Sequence, residues 1–391
     1  MRTVIIGAGI SGLTAALMAK EAGADVTVIT VGFGGLQLGQ GTLDIFDAPE
    51  PLNAIAALPE NHPYRTITPE SINEGVSAFR KIVPLDGSVE ESTVFPTALG
   101  SLRRTGLYPH SMAAGRIEDG ASYLLVGFSG LKDFYPALAA ENLANQGVNA
   151  RSHTVTLTAQ GDTALAFSRS LALPGAAEDL GRALAQAARE GERIGIPAVV
   201  HEADFERIRQ AAGHPVFQIP LPPPSIPGLE MNELARQACA EARIRMHLNS
   251  KAVGFTAADG RISAVKVQVA GSVKVIPADH VVYAGGGIES GAILLDSHRV
   301  LSETVFGLPV FAEEEILNGD YWGSQQPLFA AGLKVDSAMR PVDTEGKPVF
   351  ENLHAVGGLL SGAQRAHEKS GEGIALGSAA QAINAILRSD S

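Results

Sequence analysis

Residues 3–30 read TVIIGAGISGLTAALMAKEAGADVTVIT, and this segment decides the fold. It opens with a short apolar run at 4–6, which suits a buried parallel strand. Three glycines interrupt the run, a helix is predicted over 13–21, and a second apolar strand follows at 26–29. A strand, a glycine turn, a helix and a strand in this order predict the first half of a nucleotide-binding α/β fold.

Each glycine of the G-x-G-x-x-G spacing has its own role in such a turn. Gly7 permits the tight turn, Gly9 lets the backbone approach a pyrophosphate, and Gly12 lets the helix pack on the strand. The helix start then directs free N–H groups and the positive end of its dipole at the phosphates. The alternative is a glycine turn that holds no ligand. Because strand, turn and helix stand in register, we predict a phosphate-binding loop.

Thr30 departs from the usual pattern, in which an acidic residue ends the second strand and binds the ribose hydroxyls of an adenosine. A threonine offers one weaker hydrogen bond or none. The sequence therefore predicts phosphate binding without a secure adenosine site.

Elements of the same fold return near the end of the chain. Residues 281–287 read VVYAGGG, 351–362 read ENLHAVGGLLSG, and a glycine-opened helix follows from Ser370. This return after a long excursion resembles two-domain flavoproteins, in which the last helix directs its N-terminus at the flavin and its phosphates. An acidic residue often follows the strand glycine there, whereas this chain has Gly358; a plain surface helix is the alternative. The candidate cofactor residues of the return are Gly285, Gly286, Gly357, Gly358, Gly371, Gly373 and Gly377.

The middle of the chain alternates strands and helices and predicts a second, inserted α/β domain. Residues 243–277 alternate apolar and polar residues around an AADG turn, which predicts a small antiparallel sheet. Ser129 is expected to cap a helix, or with Gly130 to bind an anion, and the prolines of 218–228 predict a stiff connector rather than a peptide ligand. The predicted class is α/β, a two-domain FAD/NAD(P)-binding Rossmann-like flavoprotein fold. Its expected segments are 1–50, 231–300 and 346–391 for the nucleotide-binding domain, and 51–230 with the return segment 301–345 for the second domain.

Composition limits the function classes. The 391 residues carry a formal charge of −12, which disfavours nucleic acid as a partner. A single cysteine, Cys239, cannot make an internal disulfide, a four-thiolate zinc site or an iron–sulfur cluster, so no metal is expected and the chain is expected to be intracellular. Cys239 itself is expected to be a small apolar residue on a helix. No apolar run is long enough to predict a membrane span.

Several side chains are candidates for substrate contact. Guanidinium groups match phosphate oxygens, and Arg103, Arg104 and Arg340 are the predicted substrate-phosphate ligands, with Arg116 nearby. The alternative for each is an ordinary solvated arginine. Any histidine near a flavin can act as a base, but the sequence does not single one out, so the catalytic residue stays unknown. The histidines considered are His62, His110, His354 and His367.

Five segments in the middle of the chain carry a family resemblance. They are GTLDIF at 41–46, HPY at 62–64, LGSLRRT at 99–105, VGFSGLKDF at 126–134 and IPLPPPSIPG at 219–228. With SAMRP at 337–341 and ENLHAVGG, they stand in the order found in the B subunit of anaerobic glycerol-3-phosphate dehydrogenase, which the chain resembles over nearly its whole length.

The resemblance implies an activity, a cofactor and partners. It implies oxidation of sn-glycerol 3-phosphate to dihydroxyacetone phosphate with electrons passed to the quinone pool. It also implies an FAD-bearing catalytic A subunit, an iron–sulfur subunit that anchors the complex, and a cytoplasmic location at the inner face of the membrane. The family's B subunit is described as an FMN protein, which agrees with Thr30, since FMN has no adenosine; FAD is the alternative cofactor. A stand-alone FAD oxidoreductase of another small acid and a flavin-free scaffold remain as alternative functions.

Overall fold

The computed structural model describes residues 1–320 and 322–389. Contacts among Cα atoms divide the chain into two compact units. The segments are Met1–Gly35, Asp44–Val83 and Leu234–Ser391 for unit 1, and Leu36–Leu43 and Pro84–Glu233 for unit 2.

This division does not follow the five segments expected from sequence. Residues 51–83 and 301–345, which the sequence analysis gives to the second domain, lie in unit 1. We keep the five segments as a prediction about domains, beside this division into compact units.

The described residues form eighteen strands and ten α-helices, numbered here in chain order. The strands are β1 (Arg2–Ile6), β2 (Asp25–Ile29), β3 (Asp86–Gly87), β4 (Thr93–Pro96), β5 (Leu102–Thr105), β6 (Leu107–Tyr108), β7 (Ser122–Phe128), β8 (Asn149–Val155), β9 (Glu192–Pro197), β10 (Val216–Ile219), β11 (Arg245–His247), β12 (Lys251–Ala258), β13 (Arg261–Val269), β14 (Ser272–Pro277), β15 (His280–Tyr283), β16 (Ile293–Leu295), β17 (Leu301–Glu303) and β18 (Leu353–Ala355). The helices are α1 (Ile10–Glu21), α2 (Pro51–Ile55), α3 (Pro69–Arg80), α4 (Pro136–Ala144), α5 (Ala164–Leu171), α6 (Ala176–Ala187), α7 (Glu202–Ala212), α8 (Ile226–Glu241), α9 (Arg365–Glu368) and α10 (Gly371–Ser389).

Unit 1 is built on a five-stranded parallel sheet with the order β11-β2-β1-β15-β18. The chain therefore starts in the middle strand, adds two strands on one side, and adds β15 and β18 on the other. Ligands of such open sheets bind beyond the carboxyl ends of the strands, where the strand order reverses. In unit 1 that point lies between β1 and β15.

The strands of this sheet are buried, which explains their apolar sequences. Val4 to Ile6 on β1 and Val26, Val28 and Ile29 on β2 are buried, as a strand covered on both faces requires. Helices α1 and α10 pack against each other, and α10 also packs against α3. The predicted strand, helix and strand over 3–30 are confirmed by β1, α1 and β2.

A separate three-stranded antiparallel sheet, β12-β13-β14, also belongs to unit 1. It confirms the antiparallel sheet predicted over 243–277. The AADG turn joins β12 to β13, with Asp259 and Gly260 both at positive φ, 50° and 72°. Together the parallel and antiparallel sheets confirm the predicted α/β class with its small additional sheet.

Unit 2 is a second α/β fold with a parallel sheet of order β10-β9-β7-β8. Its core joins this sheet to the apolar faces of α4 to α7, through side chains such as Leu124, Phe167, Leu180 and Phe205. The sequence prediction of a second α/β unit is thus confirmed. One detail is wrong: α4 begins at Pro136 with Tyr135 at its N-cap, so Ser129 does not cap it.

Candidate functional site

The turn after β1 brings backbone so close together that only glycine fits. Gly7 has φ of +109°, and a Cβ there would collide with the carbonyl oxygen of Ala284 at the end of β15. A Cβ on Gly12 would collide in the same way with the carbonyl of Gly7. These two glycines therefore allow β1, α1 and the end of β15 to meet at the point where the strand order reverses.

Gly9 has a different environment. A Cβ on Gly9 would find no atom within 4 Å, so the glycine borders open space. Gly9 is also the N-cap of α1, and no side chain caps that helix. The first turn of a helix has N–H groups without an intrahelical partner, and they attract anions. The start of α1 is thus an open backbone donor set next to a gap.

The loop after β2 passes close to the Gly9 backbone. A Cβ on Gly34, whose φ is +68°, would lie 2.7 Å from the Gly9 Cα atom. Thr30 Oγ1 donates a hydrogen bond to the carbonyl oxygen of Gly32 within the same loop. The hydroxyl proton of Thr30 is therefore used locally. Sequence reasoning missed Gly34, although the pair Gly34–Gly35 was a visible signal.

The predicted glycines after β15 and β18 lie at the same edge of the sheet. A Cβ on Gly357 would lie 2.6 Å from Ser11 Oγ on α1, and one on Gly287 would lie 2.8 Å from the Gly358 carbonyl oxygen. The Gly357 N–H donates to Ser378 Oγ on α10 at 2.9 Å. The structure thus brings Gly357 next to α1, and Gly358 next to Gly287 in the loop after β15.

The other two predicted glycines, Gly285 and Gly286, come directly after β15. A Cβ on Gly285 would meet the Tyr283 ring at 2.6 Å, and one on Gly286, whose φ is +74°, would meet Ser290 Oγ at 2.2 Å. Both glycines therefore allow the loop after β15 to turn tightly. This loop lies at the edge of the sheet where a cofactor is expected.

Arg365 on α9 is a neighbour of these loops that sequence reasoning missed. Its guanidinium carbon lies 3.7 Å from the place of a Gly358 Cβ, and Nη2 lies 3.2 Å from that of Gly287. Nη2 contacts the Glu289 carboxylate at 3.3 and 3.4 Å, while Nη1 is buried and has no hydrogen-bond partner. A buried guanidinium N–H without an acceptor is unfavourable, so this N–H is a candidate contact for a ligand.

The start of α10 is only partly open. The Gly373 N–H donates to the Asp44 carbonyl oxygen at 3.1 Å. A Cβ on Gly373 would lie 2.9 Å from Ile45 Cα, and one on Gly377 would lie 2.7 Å from a methyl group of Ile67. These two glycines therefore let the helix pack inside unit 1. Gly371 is different, because its nearest side-chain neighbour, the Arg365 Cβ, is 3.9 Å away.

A partly buried hydrogen-bond network precedes α10. His62 Nδ1 accepts the Tyr64 N–H at 3.2 Å, so Nε2 carries the ring proton and donates to Glu368 Oε2 at 3.0 Å. Glu368 also accepts from the Gln364 N–H and from Ser370 Oγ, each at 3.0 Å. Burial acts to raise the pKa of Glu368, but these hydrogen bonds outweigh it and hold the pKa below its ordinary value.

The remaining candidate histidines have other surroundings. His354 is buried on β18, donates from Nδ1 to the Ala338 carbonyl oxygen at 2.8 Å, and has its pKa lowered to about 4, chiefly by burial. His110 pairs with Asp86 at 2.8 Å in an exposed position of unit 2, and His367 is exposed on α9. Only His62 among the four is buried beside the start of α10.

The predicted phosphate arginines lie apart. Arg340 in unit 1 is held by the carboxylates of Asp336, at 2.8 Å, and Glu351, at 2.5 Å, which favours a structural role. Arg103 and Arg104 are neighbours on β5 and so face opposite sides of the hairpin formed with β4. Arg104 is exposed, whereas Arg103 lines a cavity of about 250 Å³ within unit 2.

The residues around Arg103 are suited to a small anionic ligand. Arg103 Nη1 donates to Gln40 Oε1 at 3.3 Å, and the hydroxyl side chains of Thr97, Ser101 and Thr105 share the cavity wall. Phe95 and Met112 add apolar surface. Arg116, the fourth arginine considered, does not line this cavity.

The described residues also bear on metals and membranes. Within 1–320 and 322–389, no group of three or more His, Cys, Asp or Glu side chains is arranged to hold a metal ion. In the same ranges no helix combines the length and apolar character that a membrane crossing needs. Cys239 on α8 is buried, and burial raises the pKa of its thiol to about 11.

Unit 1 thus offers a donor set that fits a flavin dinucleotide: an uncapped helix start beside open space, a glycine loop above it, and a guanidinium with a buried free N–H. Comparison with known proteins agrees. A family model described as FAD binding domain matches residues 2–374. The probable B subunit of anaerobic glycerol-3-phosphate dehydrogenase from Halobacterium salinarum is 30% identical over 95% of this chain and 94% of its own length.

The chain belongs to the B-subunit family of anaerobic glycerol-3-phosphate dehydrogenase. Further members of this family from Yersinia pseudotuberculosis and Vibrio cholerae are 25% and 26% identical over 98% of this chain, and 97% and 95% of their own lengths. Among solved structures, 3-ketosteroid delta1-dehydrogenase from Sterolibacterium denitrificans covers 99% of both chains with 13% identity and a TM-score of 0.49. Membership of this family, with its FAD-binding domain, makes the chain a flavin-dependent oxidoreductase.

The comparisons favour a different flavin from the one expected. The matching family model is one for FAD, so the FMN expectation drawn from Thr30 is not supported, whereas the FAD alternative is. The physical reason is that a missing ribose ligand removes one contact only. The start of α1 keeps its uncapped N–H groups beside open space at Gly9, as a phosphate-binding helix start requires.

Proposed function

We propose that this chain is the flavin-bearing B subunit of a glycerol-3-phosphate dehydrogenase. The proposed reaction is oxidation of sn-glycerol 3-phosphate to dihydroxyacetone phosphate, with the electrons passed to the quinone pool. The observation that carries the proposal is the open, uncapped start of α1 at Gly9, beside the point where the sheet order reverses. The family to which the chain belongs supplies the substrate and the reaction.

The proposed roles follow from the positions of the residues. The N–H groups after Gly9 would hold the pyrophosphate of FAD, with Gly7 and Gly12 keeping side chains away and Gly34 closing the loop. When bound, a flavin accepts a hydride and releases single electrons, which suits it to link a two-electron substrate to one-electron carriers. The glycines after β15 and β18 and the Gly371 end of α10 complete the proposed cofactor site.

Substrate contact is proposed for unit 2. Arg103 would bind the phosphate group, because a guanidinium offers several N–H donors in a fork that matches phosphate oxygens. Arg104 and Arg340 remain weaker candidates, the first because it faces away and the second because two carboxylates already hold it.

The proposed partners are those of the family: an iron–sulfur subunit that anchors the complex, and the FAD-bearing catalytic A subunit. Through them the chain would lie in the cytoplasm at the inner face of the membrane. A single cysteine supports this division of labour, because electrons would enter and leave this chain through a flavin rather than through a cluster of its own.

Three measurements on the purified chain test the proposal. Flavin absorbance at one flavin per chain is expected, and a colourless chain would favour a scaffold. The mass of the cofactor released by heat is expected to be that of FAD; the mass of FMN would restore the expectation from Thr30. Reduction of an artificial acceptor by glycerol 3-phosphate, with and without the A subunit, shows whether the substrate is oxidised on this chain. Turnover of a different small acid alone would favour a stand-alone oxidoreductase.

A further inference from the structure

We infer that Arg365 binds the flavin cofactor directly, through the guanidinium N–H that the protein leaves without an acceptor. This inference rests on the proposed function, because it needs a flavin in unit 1. It adds a cationic ligand that neither the glycine pattern nor the family description assigns.

The first support is the environment of the guanidinium. The Arg365 side chain is only 15% exposed, and its Nη1 is buried without a hydrogen-bond partner. Its single ionic contact in the described residues, Glu289, lies at 3.3 and 3.4 Å and is itself 53% exposed. A contact of this length to a solvated carboxylate compensates little for the burial of a charge.

The second support is the kind of backbone that surrounds the guanidinium. Gly287 follows β15 and Gly358 follows β18, and a Cβ built on them would lie 3.2 and 3.7 Å from guanidinium atoms of Arg365; Gly371, which opens α10, borders only the Arg365 Cβ, at 3.9 Å. The glycines at two separate chain segments, Gly287 and Gly358, therefore place no side chain of their own against the guanidinium. An arginine held among uncovered backbone at the carboxyl ends of parallel strands is placed for a ligand rather than for packing.

The third support is charge. The residue after β18 that often carries a carboxylate in related flavoproteins is Gly358 here, so no anion at that position neutralises Arg365. The cofactor offers two anionic acceptors: the phosphates, and the ring, which gains negative charge on reduction. Both are anions that accept a charge-assisted hydrogen bond, and the two can be told apart by experiment.

The test compares flavin release and midpoint potential in the intact chain and its variants. For Arg365→Gln we expect flavin to dissociate roughly tenfold faster, the usual effect of losing one charge-assisted hydrogen bond. Arg365→Lys should lie between Arg365→Gln and the wild type. Arg388→Gln, at the far end of α10, removes an equal charge and should release flavin as the wild type does.

The two acceptors predict different results. If Arg365 binds the phosphates, oxidised and reduced flavin are released faster to the same degree and the potential is unchanged. If it binds the ring, the reduced form is released faster than the oxidised form and the potential becomes more negative. Either result supports the inference.

A second variant, Glu289→Gln, tests the inference independently in case Arg365→Gln does not fold. Glu289→Gln removes the carboxylate that partly neutralises Arg365, so flavin release should slow or the potential should rise. If the wild type binds flavin and Arg365→Gln has the same flavin release rate and midpoint potential, the inference is overturned and the proposed function stands. If Arg365→Gln does not fold, the same conclusion follows when Glu289→Gln matches the wild type in both measurements. A wild-type chain that binds no flavin overturns both.

Discussion

His62 and Glu368 stand 306 positions apart in the chain and share a hydrogen bond of 3.0 Å between Nε2 and Oε2. Both belong to unit 1, and His62 is only 3% exposed. Through Glu368 and Ser370 the pair fixes the segment that leads into α10. Removing the donor of a partly buried carboxylate costs more stability than removing that of an exposed one, so this contact should be important for the stability of the chain.

Replacement of His62 by Ala is therefore expected to lower the free energy of unfolding by roughly 2 kcal/mol or more. Denaturant unfolding at neutral pH measures the change. His110→Ala is the control, since it removes an exposed pair with Asp86 and should cost at most about 1 kcal/mol. Equal losses of unfolding free energy in the two variants would contradict a special role for the His62–Glu368 pair.

Gly9 offers a test of the phosphate loop that leaves the fold intact. Gly9→Ala adds a Cβ where no atom lies within 4 Å and where φ is −76°, so the unfolding free energy should hardly change. Gly9→Asp should abolish flavin retention, because a carboxylate would stand against the phosphates. Flavin content after gel filtration is the measurement. A Gly9→Asp chain with one flavin bound would refute the loop assignment.

The two neighbouring arginines of β5 allow a test of whether the cavity residue Arg103, rather than any nearby positive charge, binds the substrate phosphate. Arg103→Ala is expected to raise the KM for glycerol 3-phosphate roughly tenfold or more, because charge-assisted hydrogen bonds to the phosphate are lost. Arg104→Ala removes the same charge from the exposed face and should leave KM nearly unchanged. Steady-state kinetics of the complex measure both. A larger effect from Arg104 would move the phosphate site away from the cavity.

His354 predicts how stability depends on pH. Its pKa is lowered from 6.5 to about 4 in the folded chain, chiefly by burial, with a smaller effect from His280. The unfolded chain therefore binds more protons between these values, and stability falls as the pH drops from 6.5 towards 4. The contribution is at most on the order of 3 kcal/mol.

The variant His354→Asn keeps a donor for the Ala338 carbonyl and removes the titrating ring. Its unfolding free energy should decline less between pH 6.5 and 4 than that of the wild type, whereas His367→Gln, at an exposed position, should follow the wild type. Parallel curves for wild type and His354→Asn would show that another group is responsible.

A substitution at Gly373 tests whether this glycine is needed for helix packing or for cofactor binding. Gly373→Ala would place a Cβ 2.9 Å from the Ile45 backbone and against the Tyr64 hydroxyl, so we expect a loss of about 1–3 kcal/mol in the free energy of unfolding. Gly371→Ala meets only an ordinary contact at 3.9 Å and should be nearly neutral for stability. If Gly373→Ala kept its stability and lost flavin, the role predicted from sequence would be correct.

The sequence by itself determined the elements and their class. The run at 4–6, the glycine spacing and the helix that follows are local patterns, and local patterns fix strands, turns and helices because backbone preferences act over a few residues. The same reasoning found the antiparallel sheet of β12 to β14 and the second α/β unit. It identified Thr30 as a departure from the usual pattern, but it could not show how much one missing ribose contact matters beside the start of α1.

Only the tertiary structure decided what each glycine and each charge does. Gly9 and Gly373 look alike in sequence, yet one borders open space and the other fills a packed contact. Arg103 and Arg104 differ only in the face of the strand, and Arg365 became visible once β15, β18 and α10 met around it. The physical reason is that burial, partners and open space depend on segments far apart in the chain, which no local pattern can specify.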